Sequence, residues 1–404
     1  MTRRPEGSDE RAVVVVGGSA AGLSVARTLR AGDSDIEVVI VNGEDEMPWD
    51  RPPLSKRVLR DGDQSHRLID EAKLAALRVT FRSGVMATAL RLDEKLIELG
   101  DGSMLAYGDL VIATGVRPRS LTLIESDARR GGLHVLRTQH DALLLRGALT
   151  AGARLVVVGA GFLGLEVAAT ARTLGCEVTV IEAAPAPLAS RLGALTSQRL
   201  LDHHRERGVV VMSSTEIVGL RRDTSEKLTA VELADGSQRP ADVLLVAVGC
   251  EPNTDWLDGS GVPVGNGVVC DEYCQATPSV WAAGDVAAWL NSDLGVHSRV
   301  EHRANASDQG HAVGVNLLAR RRGEQGTPYR PIPFFWTDQY DTKVQVAGYP
   351  ELADHEQLEE FDGGCFILRY LKGPDLVAAL AWNSPKEFVS ARRELARTFE
   401  IQRA

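Results

Sequence analysis

Two stretches of the chain show the same succession of apolar run, glycine-rich turn and helix-like segment. Residues 13–16 and 155–158 are uninterrupted apolar runs, followed after the glycines by helix-like segments at 23–30 and 165–174. A short apolar run bounded by glycine is typical of a strand that is buried on both faces. The pattern therefore predicts that one arrangement of strand, turn and helix occurs twice in the chain.

Each repeat continues into a second β-rich run that ends at or near an acidic residue. Residues 36–41 lead to Glu44, and residues 177–181 lead to Glu182. Two strands joined through a helix in this way form a βαβ unit. The helix N-terminus attracts phosphate, and the acid after the second strand accepts hydrogen bonds from ribose hydroxyls. We therefore predict two nucleotide-binding units.

The two turns differ in their glycines. The second has the full Gly-x-Gly-x-x-Gly pattern beginning at Gly159, which provides a tight turn, close approach to a pyrophosphate and close packing of helix on strand. The first has Gly17 and Gly22, with Ser19 at the place of the middle glycine. A serine still permits fairly close approach, and its hydroxyl can bond a phosphate.

Glu182 indicates which nicotinamide nucleotide the second unit prefers. A carboxylate at this place accepts a ribose 2′-hydroxyl and repels a 2′-phosphate. Residues 183–185 offer no arginine to neutralise such a phosphate, and Arg191 is the only cation nearby. The sequence therefore predicts NADH rather than NADPH.

The C-terminal part has a different pattern. Three β-rich runs, at 343–347, 365–370 and 376–382, precede an amphipathic helix at 385–399. This order predicts a small α+β domain. Together with the two Rossmann-like units, it makes the predicted fold class α/β, with a small α+β domain at the C-terminus.

Composition excludes several classes of protein. The 404-residue chain has a net charge of −10 and no long basic tract, so nucleic acid is not an expected partner. Its apolar runs are far shorter than the ~20 residues of a membrane span. Five cysteines suit free thiols in a reducing compartment, and the spacing of Cys270 and Cys274 fits no usual metal site. We expect a cytoplasmic protein without metal, in which residues 1–10 form a frayed tail.

Further segments carry a resemblance to a known family. Gly284-Asp285 ends the short apolar run 280–286, and residues 113–115 and 247–249 are matching strand ends followed by glycine. With the two turns, this set resembles the flavoproteins with two dinucleotide-binding domains and the layout of glutathione reductase. In that group the first turn holds FAD and the second holds NAD(P)H.

Four short sequence segments narrow the resemblance to the NADH-dependent ferredoxin reductases of bacterial oxygenase systems, the group that includes putidaredoxin reductase. These segments lie at residues 50–56, 136–138, 301–306 and 335–340. The likeness covers the chain from about residue 12 to 395. It implies an FAD-binding domain at 10–117 and 241–322, an NADH-binding domain at 118–240 and a C-terminal domain at 329–404.

The resemblance also implies site residues. Those expected at FAD are Gly17, Ser19, Ala20, Ala21, Gly22, Glu44, Arg51, Lys56, Ala87, Ala113, Thr114, Gly115, Arg137, Gly284, Asp285, His302, Arg303 and Trp336. Those expected at NADH are Gly159, Gly161, Phe162, Leu163, Gly164, Glu166, Glu182, Val248 and Gly249. For Arg51 and Arg137 a solvated side chain remains an alternative, and for Trp336 core packing does. Relatives usually have an aromatic residue where Arg303 stands.

The segment after the first repeat lacks the thiol that disulfide reductases of this layout carry. Residues 42–59 contain no cysteine, so electrons must leave the flavin directly for an external acceptor or oxygen. The resemblance places Lys56 near flavin N5 as the partner of Glu166, which is expected in the first turn of its helix. A surface cation at Lys56 and a helix-terminal acid at Glu166 remain alternatives. The prolines of this segment predict that it is not a helix interior.

The resemblance implies an FAD enzyme that takes hydride from NADH and passes single electrons to a [2Fe–2S] ferredoxin, and indirectly to an oxygenase. A reductase of this charge needs a locally basic face to dock an acidic ferredoxin. Candidate residues are Arg299, Arg303, Arg320, Arg321, Arg322, Arg369, Lys372, Arg392 and Arg393. Three different functions stay open beside this one: a rubredoxin reductase, an NADH oxidase, and a signalling flavoprotein like apoptosis-inducing factor.

Overall fold

The computed structural model describes residues 12–121 and 131–403, so the tail expected at 1–10 lies outside the described residues. The chain forms two compact units. Of the described residues, the first unit comprises those within Met1–Asp50, Ser65–Arg117 and Glu251–Pro333, and the second comprises those within Arg51–Gln64, Pro118–Cys250 and Phe334–Ala404. Residues 51–64 thus belong to the second unit. The three-domain boundaries inferred from the sequence remain predictions.

The strands, in chain order, are β1 Val13–Val16, β2 Val38–Val41, β3 Thr80–Arg82, β4 Ala87–Arg91, β5 Leu96–Leu99, β6 Met104–Ala106, β7 Asp109–Ile112, β8 Val116–Pro118, β9 Leu133–His134, β10 Arg154–Val158, β11 Glu177–Ile181, β12 Val210–Met212, β13 Ile217–Arg222, β14 Leu228–Leu233, β15 Gln238–Pro240, β16 Val243–Val246, β17 Cys250–Pro252, β18 Val264–Gly265, β19 Gly267–Cys270, β20 Gln275–Thr277, β21 Val280–Ala282, β22 Ala287–Asn291, β23 Val296–Ser298, β24 Phe334–Gln339, β25 Thr342–Gly348, β26 His355–Glu360, β27 Phe366–Lys372 and β28 Asp375–Trp382.

The α-helices are α1 Ala20–Gly32, α2 Leu59–Asp61, α3 Glu71–Ala76, α4 Gln139–Ala148, α5 Phe162–Thr173, α6 Ala189–Arg205, α7 Arg303–Arg322 and α8 Pro385–Arg403. A π-helical turn covers Leu54–Val58, and 3-10 turns cover Asp255–Leu257, Pro350–Leu352 and Asp362–Gly364.

The first unit is built on a six-stranded sheet in the order β20-β21-β7-β1-β2-β3. The strand β1 pairs in parallel with both β2 and β7, and β21 pairs in parallel with β7. All four valines of β1 are buried, which fits a central strand covered on both faces. The first predicted βαβ unit is confirmed, with a helix that begins at Ala20 rather than at residue 23.

The second unit repeats this arrangement in a five-stranded sheet of order β12-β11-β10-β16-β9. Here β10 is the central strand and pairs in parallel with β11 and β16. The second predicted βαβ unit is confirmed, and its helix α5 begins at Phe162, three residues before the predicted start. Glu166 therefore lies in the second turn of this helix, and its predicted place in the first turn is wrong.

The C-terminal part of the second unit is an antiparallel sheet in the order β24-β25-β28-β27-β26, with α8 after the last strand. The three predicted β runs and the helix are present, so the predicted fold class is confirmed. The sequence did not predict the outer strands β24 and β26. All six residues of β26 are exposed, and such an edge strand lacks the apolar alternation by which strands are recognised.

The proline-rich segment is more helical than its composition indicated. Pro53 has αR dihedral angles, and the chain is helical from Leu54 through Asp61. The prediction that this segment is not a helix interior is thus wrong for Lys56. Proline is tolerated at the start of a helix because the first N–H groups have no partner within the helix. In the part of the chain that the structure describes, no helix has the length and apolar character needed to cross a membrane.

Candidate nucleotide sites and the Lys56–Glu166 pair

The glycines of the first turn are required by the backbone itself. Gly17 has φ +116°, and a Cβ there would lie 2.1 Å from the carbonyl oxygen of Ala113. A Cβ at Gly22 would lie 1.9 Å from the carbonyl oxygen of Gly17. Both distances are far below van der Waals contact, so neither position accepts a side chain without a shift of the backbone.

The second turn has the same geometry, apart from its middle glycine. A Cβ at Gly159 would lie 2.3 Å from the carbonyl oxygen of Ala247, and one at Gly164 would lie 2.1 Å from that of Gly159. At Gly161 an added Cβ would meet no atom within 4 Å among the residues that the structure describes, apart from its own chain neighbours. Protein packing therefore does not require glycine at this place, whereas close approach of a bound pyrophosphate does.

Both helices that follow these turns lack a side-chain cap. Ser19 is the N-cap of α1 and Gly161 is the N-cap of α5, and neither makes a capping hydrogen bond. By contrast, Thr138 caps α4 through a reciprocal capping box with Asp141. Uncapped N–H groups and the helix dipole favour an anion, so the residues present fit the phosphates of FAD and NADH.

The residue directly after the second strand closes each turn. Glu182 Oε2 accepts from the backbone N–H of Ala160 at 2.8 Å, and its Oε1 accepts from that of Ala184 at 2.8 Å. In the first unit Asn42 has the corresponding place, and its Oδ1 accepts from the backbone N–H of Gly18 at 3.3 Å. Glu44 lies two residues further on, and its carbonyl oxygen accepts from Asn42 Nδ2 at 2.7 Å.

Sequence reasoning therefore missed Asn42 as a residue of the first site. Its signal was available, because Asn42 is the first residue after the apolar run, as Glu182 is in the second repeat. A pattern that requires an acid at this place passes over an uncharged amide. The buried side chain of Asn42 is fixed against the turn, whereas the side chain of Glu44 is only partly buried.

The strand ends of the first unit bring several predicted FAD residues to one edge of the sheet. Thr114 follows β7, and its Oγ1 donates to the carbonyl oxygen of Asn253 at 2.8 Å. The carbonyl oxygen of Thr114 accepts from Asn253 Nδ2 at 2.9 Å. Gly284 follows β21, and its N–H donates to Gln309 Oε1 at 2.9 Å. Since β1, β7 and β21 are parallel neighbours, their carboxyl ends meet at the edge where Gly17 lies. Residues at this edge of the first unit are Gly17, Ser19, Ala20, Ala21, Gly22, Ala113, Thr114, Gly115, Gly284 and Asp285.

The structure places the other residues predicted for the first unit on neighbouring elements. His302 is the N-cap of α7, and Arg303 is the first residue of that helix. Arg303 forms an ion pair with Asp50 and donates from a guanidinium nitrogen to Ser307 Oγ at 2.7 Å. Ala87 begins β4, which belongs to a separate three-stranded sheet.

Four residues predicted for FAD belong to the second unit, namely Arg51, Lys56, Arg137 and Trp336. Arg137 precedes the cap of α4, and its backbone N–H donates to Asp141 Oδ2 at 3.0 Å. Trp336 is partly buried in β24, where its ring stacks on that of Phe334 with centroids 5.8 Å apart.

The remaining residues predicted for NADH surround the second turn. Phe162 and Leu163 are the first residues of α5, and the ring of Phe162 lies 4.9 Å from that of Phe335. Val248 and Gly249 follow the strand β16, next to the end of the central strand. Glu182 lies at the same edge, so the second unit brings this predicted set together.

Lys56 and Glu166 form an ion pair within the second unit, with Lys56 Nζ 2.8 Å from Glu166 Oε2. The side chains are 18% and 9% exposed. Lys56 Nζ also donates to the carbonyl oxygen of Pro52 at 3.2 Å. Lys56 is therefore not a solvated surface cation.

Two hydroxyl groups complete the surroundings of Glu166. Ser55 Oγ donates to Oε2 at 2.6 Å, and Thr337 Oγ1 donates to Oε1 at 2.7 Å. Thr170 Oγ1 in turn donates to the carbonyl oxygen of Ser55 at 2.7 Å, which fixes that segment on α5. The carboxylate is thus held by three side chains, and the helix dipole is not needed to explain its place.

Comparison with known proteins defines the family. The model of the pyridine nucleotide-disulphide oxidoreductase family matches residues 11–310, and that of the reductase C-terminal domain matches residues 334–404. The chain belongs to the pyridine nucleotide-disulphide oxidoreductase family.

Its relatives narrow the assignment further. Rhodocoxin reductase of Rhodococcus erythropolis is 34% identical over 95% of this chain and 89% of its own length. The ferredoxin–NAD(+) reductase component of the p-cumate 2,3-dioxygenase system of Pseudomonas putida is 35% identical over 96% and 94%. The reductase in the covalent putidaredoxin reductase–putidaredoxin complex has a TM-score of 0.91 at 31% identity, over 97% of this chain and 94% of that one. The resemblance to the ferredoxin reductases of oxygenase systems is confirmed.

Proposed function

We propose that this protein transfers electrons from NADH through bound FAD to a [2Fe–2S] ferredoxin that serves an oxygenase. In balance, one NADH and two oxidised ferredoxins give NAD⁺, two reduced ferredoxins and one proton. FAD supplies the exchange between two-electron and one-electron chemistry when it is bound. The observation that carries the proposal is the Lys56–Glu166 pair. Its lysine lies in the cysteine-free segment 42–59, where related disulfide reductases have a thiol.

The roles of the residues follow from their surroundings. The uncapped turns at Ser19 and Gly161 bind the phosphates of the two nucleotides. Glu182 selects NADH by excluding a 2′-phosphate. When FAD is bound, Lys56 would supply a positive charge that favours the reduced cofactor, and Glu166 would fix the position of Lys56.

The proposal that ferredoxin is the partner is supported by the names of the relatives, several of which are ferredoxin reductase components of dioxygenase systems.

Fewer of the basic residues expected at a docking face are available to bind an acidic partner than the sequence indicated. Five of those arginines form ion pairs with carboxylates, namely Arg299, Arg303, Arg320, Arg321 and Arg369. Arg392 instead lies over the ring of Phe334, 4.8 Å from its centroid. We propose that two arginines of α8, Arg392 and Arg393, contribute to ferredoxin docking.

We also propose a cytoplasmic location, because the chain has only five cysteines and Cys176, Cys270 and Cys274 are buried thiols. In the described residues, no group of three or more His, Cys, Asp or Glu side chains is arranged to hold a metal ion.

The test is anaerobic stopped-flow spectroscopy of the FAD-loaded protein, mixed with NADH or with NADPH and then with a [2Fe–2S] ferredoxin. We expect fast loss of flavin absorbance with NADH alone and fast reoxidation by ferredoxin. A long-lived complex with NADH that ferredoxin does not discharge contradicts the proposal and indicates a signalling flavoprotein. Reoxidation that is faster with rubredoxin than with ferredoxin identifies a rubredoxin reductase, and reoxidation that is fastest with oxygen identifies an NADH oxidase.

A further inference from the structure

A chain of hydrogen bonds leads from Glu166 away from Lys56. Thr337 Oγ1, which donates to Glu166 Oε1 at 2.7 Å, accepts from Gln339 Nε2 at 3.1 Å. Gln339 Oε1 lies 2.8 Å from His204 Nε2, and His204 Nδ1 lies 3.1 Å from the hydroxyl of Tyr340. Four hydrogen bonds thus connect the carboxylate to Tyr340 in the turn between β24 and β25.

The middle of this chain is buried. Thr337 and Gln339 are each 1% exposed, and His204 is 0% exposed. Thr337 and Gln339 are two residues apart on β24, so they point to the same face of the sheet. Buried polar groups are costly unless they are paired, so this network persists only because each member satisfies the next.

The donors all run in one direction. The hydroxyl of Tyr340 donates to His204 Nδ1, and the N–H at Nε2 of His204 donates to Gln339 Oε1. The amide of Gln339 donates to Thr337, whose hydroxyl donates to Glu166. Every dipole therefore has its positive end toward the carboxylate, and this order requires a neutral His204. Burial lowers the pKa of His204 to about 4, which keeps the ring neutral at physiological pH.

The far end of the chain is held firmly. Tyr340 has φ +56°, which is uncommon for a residue with a large side chain. Its ring lies 5.4 Å from the ring of His203 and 5.2 Å from that of His204, and the guanidinium carbon of Arg207 lies 4.7 Å from its centroid. These contacts offset the cost of the left-handed conformation and fix the first donor of the chain.

We infer that Thr337, Gln339 and His204 are positioning residues that hold the Glu166 carboxylate toward Lys56. The inference rests on the proposed function, in which that pair serves hydride transfer. The chain conveys orientation and does not conduct protons. A carboxamide at Gln339 cannot pass a proton on without becoming an imidic acid, so the proton released on reoxidation leaves by another route.

The test measures the limiting rate of flavin reduction by NADH, and the Kd of NADH, in wild-type protein and matched variants. Thr337→Val keeps the shape and removes the donor to Glu166, and we expect about a tenfold lower rate with Kd within about twofold. Thr337→Ser restores a hydroxyl and should recover the rate to within about twofold of wild type. His204→Phe acts two hydrogen bonds further away and should lower the rate about threefold.

Thr342→Val is the matched control, because Thr342 is also buried and bonds to the neighbouring His203, with its Oγ1 3.1 Å from His203 Nε2. We expect its reduction rate to stay within about twofold of wild type. Melting temperatures of all variants identify any loss that comes from unfolding. A Thr337→Val rate equal to wild type, or a loss that Thr337→Ser does not rescue, overturns the inference and leaves the proposed function intact. Wild-type protein that NADH does not reduce overturns both.

A second measurement separates orientation from proton transfer. Reoxidation of the flavin by ferredoxin is compared in H2O and D2O for wild type and His204→Phe. We expect the same solvent isotope effect in both proteins, since the chain conducts no proton. An effect of about twofold or more in wild type that disappears in His204→Phe overturns this part of the inference.

Discussion

Lys56 Nζ lies 2.8 Å from Glu166 Oε2, although the two residues come from different parts of the chain. One stands in a π-helical turn after two prolines, and the other stands in the helix of the second nucleotide-binding repeat. The pair is mostly buried, so the loss of one partner leaves the other charge without compensation.

We therefore expect Glu166→Gln to lower the free energy of unfolding by about 3 kcal/mol. It should also slow flavin reduction by NADH tenfold or more, roughly the value of a lost positioning contact. The double variant Lys56→Met/Glu166→Gln removes both charges and should regain part of the stability but none of the rate. Equal losses of stability and rate in both proteins would show that the pair serves packing alone. Urea denaturation and stopped-flow absorbance provide the two measurements.

Substitutions at two glycines of the second turn should distinguish the effect on stability from the effect on NADH binding. Gly164→Ala places a Cβ 2.1 Å from the carbonyl oxygen of Gly159, whereas Gly161→Ala places one in open space. We expect Gly164→Ala to destabilise the second unit by roughly 3 kcal/mol or more, and Gly161→Ala by less than about 0.5 kcal/mol.

The variant that hardly changes stability, Gly161→Ala, should nevertheless weaken the binding of NADH. Gly161→Ala should raise the Kd of NADH about tenfold in a protein that melts like wild type, because the added methyl group meets the pyrophosphate. Unchanged NADH binding in this variant would place the nucleotide elsewhere. The Kd is obtained from the dependence of the flavin-reduction rate on NADH concentration in anaerobic stopped-flow experiments.

Glu182 should set the preference between the two nicotinamide nucleotides. We expect Glu182→Ala to lower the ratio of kcat/KM for NADH over NADPH by about tenfold or more, since a lost carboxylate no longer repels a 2′-phosphate. Glu182 also accepts hydrogen bonds from Ala160 and Ala184, so a smaller loss with both nucleotides is expected as well. Glu177→Gln, at the exposed start of the same strand, is the control and should leave the ratio unchanged. A ratio that does not respond to Glu182→Ala would refute its role.

His204 should make stability depend on pH. The pKa of His204 falls from 6.5 to about 4 on folding because the ring is buried, so the unfolded chain takes up a proton first as the pH falls. This contribution to stability is complete above pH 6.5, decreases between pH 6.5 and about 4, and falls no further below that. Between pH 7 and 4 the loss amounts to roughly 3 kcal/mol.

Urea denaturation as a function of pH tests this expectation. His204→Asn should be less stable at pH 7 and should lose less stability on acidification than wild type. His140→Asn replaces an exposed histidine of α4 and should follow the wild-type curve. If the curve of His204→Asn keeps the wild-type slope, the buried ring is not the group responsible.

Docking of ferredoxin should depend on the charges of α8. We expect Arg392→Gln/Arg393→Gln to raise the KM for ferredoxin about fivefold at low ionic strength. This difference in KM between the variant and wild type should become smaller as the salt concentration increases, because salt screens the charges. Reduction of a neutral quinone should be unaffected in the same variant. An equal effect on both acceptors would locate the change in the flavin chemistry rather than in docking.

The sequence by itself determined the two βαβ units, because the apolar runs and glycines that define each unit lie close together in the chain. A run such as Val13–Val16 is apolar enough to be buried on both faces, and the glycines after it are required by backbone contacts within the same unit. The place of Glu182 at the end of its strand follows from the same local order. The corresponding place of Asn42 could also be predicted from the sequence, if the residue directly after the second strand is chosen by its position and not by its charge.

The pairing of Glu166 with Lys56 was implied by the resemblance and is present in the structure. The tertiary structure alone decided the other two partners of Glu166, because Ser55 and Thr337 come from segments whose local patterns show no relation to the helix α5. The same holds for the chain through Gln339 and His204, since β24 carries no signal for which helix its buried face meets. Local propensity and periodicity describe one element at a time, whereas a hydrogen-bond network exists only after distant elements pack together.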